Sequence, residues 1–557
     1  MRFKYLFVSL LCGFLIISAC KNISEKQKGE NKKSAKKHPE NELVLNWSDV
    51  QVNDYLNEID SSDVAREVFK FYESRNYKLA WIDKGKLSKN AYELLDELKN
   101  SIHQGLKTED YRIFQIDKNL LNPDSGDSMT LYSQVARTDI LLSEAFLKYA
   151  TDLLTGIITP DSLGIVWEIY PKKVNLPEYL GEALQKNSIH QYLYKLGPHH
   201  ESYYKLLDAF KYMSGIIKEE WILPGYFPLL RLDDSSEYVF DLKVFLQASG
   251  DLIPPETEYM ESAFFDQRLE YAVKQFQERH GLKADGLVGD LTLNEMNVPL
   301  EHRLNQILVN IDRIRFLPSN LGGRYIIVNI PGFFLEYYEN DELKLPMNVV
   351  VGKIENYTPV LKDTMSYIVF NPDWNIPYSI ATEEILPNIK SDTTYLARNN
   401  YILLRGSYES TDTVKPDEVD WSEITPDDFP FSIIQKPGYD NALGRVKFMF
   451  PNNYSIYLHD TPANEAFQYE KRDFSHGCIR LEKPVELAKI LLEGQLESQE
   501  IQDILLSEET EEIILDKKVL VHFMYQTAWI DENDQLQFRQ DIYDIDRKSI
   551  SLLNSSP

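Results

Sequence analysis

One cysteine lies among residues that could carry out nucleophilic chemistry. Cys478 follows His476 and Gly477, and His459 stands earlier in the chain, at the end of a predicted strand over 455–458. A thiolate is a strong nucleophile, and a neighbouring imidazole accepts the thiol proton. Gly477 lets the backbone approach a substrate carbonyl closely, so N–H groups around Gly477 and Cys478 can point at a developing oxyanion. The pattern predicts acyl transfer, provided that the chain folds back to bring His459 beside the thiol.

Two other interpretations of these residues stay open at this point. An isolated cysteine near histidines is often a buried and inert side chain. His459, His476 and Cys478 could also serve as zinc ligands, which requires either a closed set of four or an open fourth position with suitable geometry. The functional and the structural readings therefore differ in where the fold places the two histidines.

The composition limits the class of protein. A chain of 557 residues is expected to contain several domains, because one core rarely serves so long a chain. The hydrophobic fraction of 43% is enough for buried cores. A net charge of −28 argues against nucleic acid as a partner, since that binding depends on neutralising phosphates with Lys and Arg. Three cysteines cannot form a disulfide framework or, alone, a four-thiolate metal site.

Residues 1–20 have the pattern of a lipoprotein signal peptide. A basic start is followed by an apolar run that is too short for a confident transmembrane helix. The run ends in Ile-Ser-Ala-Cys20, which resembles the bacterial lipobox, in which the cysteine is lipidated and becomes the new N-terminus. An ordinary cleavage site that happens to precede a cysteine is the alternative.

Residues 21–46 are predicted to be a flexible basic linker, because residues 21–40 are lysine-rich and almost without large apolar side chains. The segment could lie on anionic headgroups or act only as a solvated spacer. These features predict a lipid-anchored protein of the cell envelope that faces the periplasm. Lys21 stands where enterobacterial sorting often uses Asp for inner-membrane retention, which favours the outer membrane.

Residues 47–234 have a helical pattern, including a long amphipathic helix over 139–154, and are predicted to form a scaffold domain. Residues 235–300 resemble the small three-helix peptidoglycan-binding module. The matching positions are Ala272-Val273, Phe276-Gln277, Gly281-Leu282, Asp285-Gly286, Gly289 and Thr292, the last of which is predicted to start a helix. Some modules of this type no longer bind glycan and only pack on their neighbours.

Residues 301–540 are predicted to form a mainly β domain, because short β-rich runs alternate with Gly, Pro and Asn. Within it, residues 388–435 are predicted to be an insertion that acts as a cap or a mobile lid, since the stretch is long and acidic. Residues 541–557 are predicted to be a C-terminal tail. The predicted fold class is therefore multidomain α+β.

The region around the cysteine resembles the active-site signature of the YkuD-type L,D-transpeptidase catalytic domain, in which a histidine is followed at a distance by Ser-His-Gly-Cys-x-Arg or Asn. The matching positions are His459, Ser475, His476, Gly477, Cys478 and Arg480. The order of parts, with a scaffold domain, a peptidoglycan-binding module and a capped catalytic domain, is similar to the large periplasmic branch of that family.

The resemblance implies a mechanism. In this family a thiolate attacks the carbonyl between the third residue and the D-alanine of a tetrapeptide stem, and D-alanine leaves. The amine of a second stem then attacks the thioester and completes a 3→3 cross-link in peptidoglycan. By position, Cys478 is the nucleophile and His459 the proton donor and acceptor.

The resemblance also assigns the remaining motif residues. Ser475, His476 and Gly477 shape the turn and the oxyanion site, and Arg480 either orients the motif or meets a stem carboxylate. The family uses no metal or cofactor, and its cysteine is typically acylated by carbapenems. Interception of the thioester by water or by another amine would instead give an L,D-carboxypeptidase or an enzyme that attaches proteins to the wall. A lipoprotein that only binds peptidoglycan is the non-catalytic alternative.

Overall fold

The structure is a computed structural model that describes residues 63–555, apart from 85, 121–127, 217, 222, 224–226 and 319. The described residues belong to one compact unit, 47–557. The predicted signal peptide 1–20, with Cys20, and the linker 21–46 lie outside the described residues. Among the helices that the structure describes, none is both long enough and apolar enough to cross a bilayer.

The N-terminal part of the described chain is helical, as predicted. Its helices are Asp63–Ser74, Lys89–Lys99, Ile113–Leu120, Ser128–Thr155, Leu176–Lys186, Ile189–Leu196 and Glu201–Ser214. The longest begins before the predicted residue 139 and ends at Gly156, which has a φ of +69°. A buried carboxylate at Asp139 accepts hydrogen bonds from the Tyr72 hydroxyl and from the N–H groups of Ala80 and Trp81, so its desolvation is compensated.

The second group of helices corresponds to the small module. They are Tyr238–Ala248, Thr257–Glu261, Gln267–Arg279 and Asp290–Met296. Of the positions that match the module, Ala272, Val273 and Phe276 are buried in one core. Gln277 holds the loop that follows the third helix. Its side-chain amide donates to Asp285 and Thr292, and its side-chain oxygen accepts from the N–H of Gly286. Thr292 lies inside the last helix rather than at its start.

Helix Leu300–Ile314 and two elements near the C-terminus join the module to the β domain. Residues of this helix pack in the core of the module, and Val309 packs in the core of the β domain. Strands β16 and β17 (Ala528–Ile530, Leu536–Phe538) form a hairpin whose Ala528 and Phe538 belong to the core of the module. The predicted boundary at 300 therefore crosses packed cores.

The β domain is built on one nine-stranded sheet with the order β13-β5-β14-β12-β11-β6-β15-β3-β4. Its strands are β3 Arg324–Asn329, β4 Phe334–Glu339, β5 Glu342–Gly352, β6 Lys362–Phe370, β11 Val446–Met449, β12 Leu458–His459, β13 Asp473–Ser475, β14 Ile479–Leu481 and β15 Glu511–Met524. β5 also pairs with β4, so the sheet curls back on itself. Helices Pro484–Leu491 and Ser498–Ser507 cover its core face.

The insertion is a folded subdomain rather than an irregular excursion, and we call it the cap (residues 374–435). Its sheet has the order β7-β10-β8-β9, with strands Trp374–Asn375, Phe431–Gln435, Tyr401–Arg405 and Thr413–Val414. Helical segments Tyr378–Ile380, Ala381–Ile385 (a π-helix), Leu386–Ser391 and Tyr395–Arg398 pack on it. Because the cap core includes Ile376 and Ile385, the insertion begins before the predicted residue 388.

The strand predicted over 455–458 is wrong for all but its last residue. Ser455 has a φ of +57°, and β12 starts only at Leu458. Asn452 is the cause, because its side-chain oxygen accepts from the N–H groups of Tyr454 and Ile456 while its amide donates to the carbonyl of Ile456. Such a side-chain turn competes with strand pairing for the same backbone groups.

The predicted C-terminal tail 541–557 is also wrong, because most of it is a packed helix, Ile545–Ser555. Ile545 and Leu553 lie in the core of the β domain. Asp546, which is buried, lies 2.6 Å from the guanidinium of Arg313, and its other oxygen accepts from the Thr527 hydroxyl. A segment with apolar side chains at helical spacing and a buried ion pair is part of the fold.

Candidate active site

The register of three adjacent strands gathers the candidate residues on one face of the sheet. Lys447 of β11 is paired with His459 of β12, and His459 is paired with Arg480 of β14. Side chains directly opposite each other in neighbouring strands lie on the same face. Tyr457 directly precedes β12 and Cys478 directly precedes β14, so both lie at the end of this row, and Cys478 also packs against the core of the β domain.

Core packing fixes which face this is. Within each strand, the residue next to the member of this row is fully buried in the core of the β domain. These residues are Phe448, Leu458 and Ile479. The charged and polar side chains are therefore turned to the opposite face, away from that core. A one-residue shift in register would turn Lys447, His459 and Arg480 toward the core, so the apolar pattern of these strands also fixes the geometry of the site.

The thiol of Cys478 is partly accessible and sits beside Tyr457. Its Sγ lies 3.6 Å from the carbonyl oxygen of Ser455, to which the neutral thiol donates. The carbonyl of Tyr457 accepts from the N–H of Ile479, the residue after the nucleophile. Burial raises the pKa of the Cys478 thiol, while Tyr457 and the charges of Lys447 and Arg480 act to lower it.

His459 is held as a neutral imidazole of one tautomer. Its Nδ1 lies 2.5 Å from the carbonyl oxygen of Asp460, so Nδ1 carries the proton and donates, which leaves Nε2 as an acceptor. Burial, together with the positive charges of Arg480 and Lys447, lowers the pKa of His459 to about 3. The ring can therefore accept a proton only transiently at neutral pH, as a general base does.

Ser475 holds the turn that carries the nucleophile. Its hydroxyl donates to the carbonyl of Cys478 at 2.6 Å and accepts from the N–H of Gly477 at 3.0 Å. The N–H of Gly477 is thus occupied and does not serve an oxyanion, contrary to the expectation that it would. The N–H of Cys478 has no hydrogen-bond partner in the described part of the chain, and it remains as the donor from this turn.

Gly477 and Gly352 allow the turn to approach the neighbouring loop. Gly477 has a φ of +114°, and a Cβ there would lie 3.2 Å from Ile456. A Cβ on Gly352 would lie 2.2 Å from the carbonyl oxygen of Asn356 and 3.0 Å from the Cα of Gly477. The Thr358 hydroxyl bridges the two, because it donates to the carbonyl of Gly477 and accepts from the N–H of Gly352.

His476 connects the turn to the cap. Its Nε2 lies 2.7 Å from a carboxylate oxygen of Glu384, in the π-helical segment Ala381–Ile385. His476 is therefore turned toward the cap, and its ring is not grouped with Cys478 and His459 as a ligand set. Among the residues that the structure describes, no three His, Cys, Asp or Glu side chains gather in a way that could hold a metal ion.

Comparison with known proteins identifies the domains. Residues 323–500 match the family model of the L,D-transpeptidase catalytic domain (YkuD), residues 235–296 that of a “Putative peptidoglycan binding domain”, and residues 66–210 that of a scaffold domain. Residues 323–500 are an L,D-transpeptidase catalytic domain. The predicted resemblance and the predicted fold class, a helical scaffold, a small helical module and a mainly β catalytic domain, are thus confirmed.

Individual relatives are similar over part of the chain. A Haemophilus influenzae protein named “Putative L,D-transpeptidase” is 37% identical over 245 residues, which cover 44% of this chain and 48% of that protein. The chain thus spans about half the length of this curated relative. A solved L,D-transpeptidase from Xylanimonas cellulosilytica is 13% identical to this chain, with a TM-score of 0.15. The match covers 54% of this chain and 100% of the solved chain. An avibactam carbamoyl enzyme is 15% identical with a TM-score of 0.17, over 37% of this chain and 51% of its own.

Three side chains of the L,D-transpeptidase domain were missed in the sequence. Lys447 places its ammonium 3.9 Å from the ring centre of Tyr457, and Trp374 of the cap acts to lower the pKa of Tyr457. Burial raises the pKa of Tyr457, so the phenol remains a donor. In the sequence, Tyr457 and His459 alternate with core residues, which is the two-residue period of a strand. Only the strand register relates Lys447 to them.

Proposed function

We propose that this protein is a cysteine-dependent L,D-transpeptidase that forms 3→3 cross-links in peptidoglycan and releases D-alanine from a tetrapeptide stem. The observation that carries the proposal is the state of His459, a neutral imidazole whose Nδ1 is tied to Asp460 and which lies on the strand paired with the one that Cys478 directly precedes. A pure binding protein has no use for a thiol and a base of fixed tautomer at two paired strands.

The proposed first step is acylation. Cys478 passes its proton to Nε2 of His459, and the sulfur attacks the carbonyl between the third residue of the donor stem and D-alanine. The N–H of Cys478 donates to the developing oxyanion. His459 returns the proton to the departing nitrogen, the carbon–nitrogen bond breaks, and D-alanine leaves while a thioester remains on Cys478.

The proposed second step is transfer. The side-chain amine of an acceptor stem attacks the thioester carbonyl, and His459 takes a proton from that nitrogen. The carbon–sulfur bond breaks, the proton passes to sulfur, and a new amide joins the two stems. Every proton and bond is then accounted for by Cys478, His459 and the two stems, without a cofactor.

Arg480 is the residue that we assign to a stem carboxylate. Its guanidinium lies in the same row as His459 and is largely buried, and its Nε has no hydrogen-bond partner in the described part of the chain. Burial lowers the pKa of Arg480, and the nearest acidic influences on it are Cys478 and Glu384. A buried guanidinium without a carboxylate partner suits recognition of a carboxylate on the ligand.

The deciding experiment is mass spectrometry of muropeptides after the enzyme is incubated with tetrapeptide-bearing peptidoglycan. We expect 3→3 dimers together with free D-alanine from the wild type. Cys478→Ala should yield neither product while it unfolds at a similar temperature. Dimers at wild-type levels from Cys478→Ala would overturn the proposal.

The same assay separates the related outcomes. Tripeptides without dimers would indicate that water intercepts the thioester, which is L,D-carboxypeptidase activity. A protein lysine joined to the stem would indicate attachment of proteins to the wall. A carbapenem adduct on Cys478, detected as a mass increase on its peptide, would report the nucleophile independently of the acceptor. Intact muropeptides bound by the protein but not converted would favour the non-catalytic alternative.

For the location of the enzyme, the proposal is a lipid anchor at Cys20 in the cell envelope, with the catalytic domain facing the periplasm and the outer membrane as the host membrane. It rests on the sequence of residues 1–20 and on Lys21. Metabolic labelling with a fatty acid should label the wild type and not Cys20→Ser, and membrane separation should place the labelled protein with the outer membrane. Labelling of both forms, or of neither, would contradict the anchor.

A further inference from the structure

A second cation lies beside the nucleophile and lacks an acidic partner. Lys447 belongs to β11, between the core residues Val446 and Phe448, and it is only partly accessible. Among the described residues, no Asp or Glu forms an ion pair with its ammonium, whereas Lys436, earlier in the chain, is paired with Asp373. A half-buried ammonium without a carboxylate is costly, so its retention calls for an anion that forms in the working enzyme.

The geometry identifies the anion. The Lys447 ammonium lies 3.9 Å from the centre of the Tyr457 ring, and the Tyr457 carbonyl accepts from the N–H of Ile479, the residue after Cys478. Tyr457 and Lys447 both act to lower the pKa of the Cys478 thiol. Burial lowers the pKa of Lys447, and Cys478 is the acidic group whose charge raises it. The cation, the aromatic ring and the sulfur thus form one connected arrangement.

His459 does not take this role. It is paired with Lys447 across the strands and is buried between Lys447 and Arg480, so a positive imidazolium would face two positive neighbours. Like charges this close disfavour ionisation of the ring. Arg480 is also close to the sulfur, but it faces Glu384 of the cap as well. The groups that act on the thiol are therefore Lys447 from β11, Tyr457, which directly precedes β12, and Arg480 from β14. His459 lies between Lys447 and Arg480 in the strand register.

We propose that Lys447 is the main counter-ion of the thiolate that forms at Cys478, and that this thiolate is stabilised by a Lys447–Tyr457–Cys478 arrangement rather than by an ion pair with His459. Lys447 acts through the charge that it places beside Tyr457, which makes it a positioning residue for the nucleophile. The inference rests on the proposed nucleophilic role of Cys478. It assigns His459 to proton transfer alone.

The test is the pH dependence of alkylation of Cys478 by iodoacetamide in the full chain, followed by mass spectrometry of the peptide that carries Cys478. The variants are Lys447→Met, which keeps the length and removes the charge, and Lys447→Arg, which restores the charge. Tyr457→Phe keeps the ring and removes the hydroxyl. Lys471→Met is the matched control, because Lys471 is exposed near the same turn and is already paired with Asp473.

We expect the alkylation midpoint of Lys447→Met to rise by about one pH unit, which corresponds to a roughly tenfold lower rate at neutral pH. Lys447→Arg should return most of the shift, Tyr457→Phe should raise the midpoint, and Lys471→Met should match the wild type. His459→Gln should leave the midpoint within a few tenths of a unit while it slows cross-linking.

Two results would overturn the inference. One is an alkylation profile of Lys447→Met that matches the wild type, and the other is a larger midpoint shift in His459→Gln than in Lys447→Met. If Lys447→Met does not fold, the comparison of Lys447→Arg with Tyr457→Phe still tests the arrangement, because only the latter should shift the midpoint. Failure of the cross-linking proposal is a separate outcome, since alkylation reports the thiol whether or not dimers form.

Discussion

Glu384 of the cap lies 2.7 Å from His476 of the catalytic turn, through a carboxylate oxygen and Nε2. Both side chains are exposed, but Glu384 belongs to a segment packed in the cap core, and His476 is two residues from the nucleophile. A second link runs in parallel, because Trp374 of the cap acts to lower the pKa of Tyr457, and Tyr457 acts to lower the pKa of Cys478. The position of the cap and the environment of the thiol are therefore mechanically coupled.

Removal of the Glu384 carboxylate should loosen the cap. A partly exposed ion pair contributes about 0.2–1 kcal/mol, so Glu384→Ala should raise hydrogen exchange in residues 378–391 by up to about fivefold. Glu383→Ala is the matched control, because Glu383 is exposed on the same segment and has no ion pair in the described part of the chain. Equal exchange in the two variants would show that the contact does not hold the cap.

Ser475→Ala should destabilise the turn and slow acylation. The substitution leaves the N–H of Gly477 and the carbonyl of Cys478 without their buried partner, at a cost of about 1–3 kcal/mol. We expect a lower melting temperature and slower labelling of Cys478 by a carbapenem. Ser432→Ala, which removes a single exposed hydroxyl bond to Gly406, should change neither. A wild-type labelling rate in Ser475→Ala would show that Gly477 and its neighbours hold the turn unaided.

Gly477→Ala should reduce cross-linking more than it reduces stability. The backbone φ of +114° disfavours any side chain, and the new Cβ would press on Ile456. Displacement of the adjacent Cys478 by a fraction of an ångström should lower the rate by about 10–100-fold. Gly406→Ala, at a φ of +84° with open space around it, separates backbone strain from crowding and should leave the rate unchanged.

The free energy of unfolding should fall as the pH falls through the range in which His459 is protonated in the unfolded chain but not in the folded protein. The pKa of His459 is about 3 in the folded protein and near 6.5 in an exposed histidine. Between these values the unfolded chain binds a proton that the folded chain does not, so this residue contributes a loss of up to about 1.4 kcal/mol per pH unit on acidification.

The variant His459→Gln tests the direction of this pH dependence of stability. Denaturant unfolding between pH 4 and 6.5 should show a shallower dependence of the unfolding free energy on pH in His459→Gln than in the wild type. His103→Gln, at an exposed position, should keep the wild-type slope. Burial also lowers the pKa values of His280 and His522, which should account for part of the remaining slope. An unchanged slope in His459→Gln would mean that the imidazole is already charged in the fold.

Much of the organisation could be predicted from local pattern. The apolar face of helix Gln267–Arg279 repeats at helical spacing and was recognised without the fold, as were the β runs that became β3, β4 and β5. The two failures have different causes. At 455–458 the Asn452 side chain captured backbone groups that the apolar pattern assigned to a strand, and at 541–557 long-range packing turned a supposed tail into a core helix.

The sequence by itself determined which chemistry the site can carry out, because Cys478 and the residues just before it lie in one short motif whose local turn is closed by Ser475. The tertiary structure alone decided the electrostatics. Lys447 and Arg480 meet His459 only through the pairing of three strands, and burial of that row keeps the imidazole neutral. A pKa depends on solvent exclusion and on neighbours distant in the chain, and neither can be read from the order of residues.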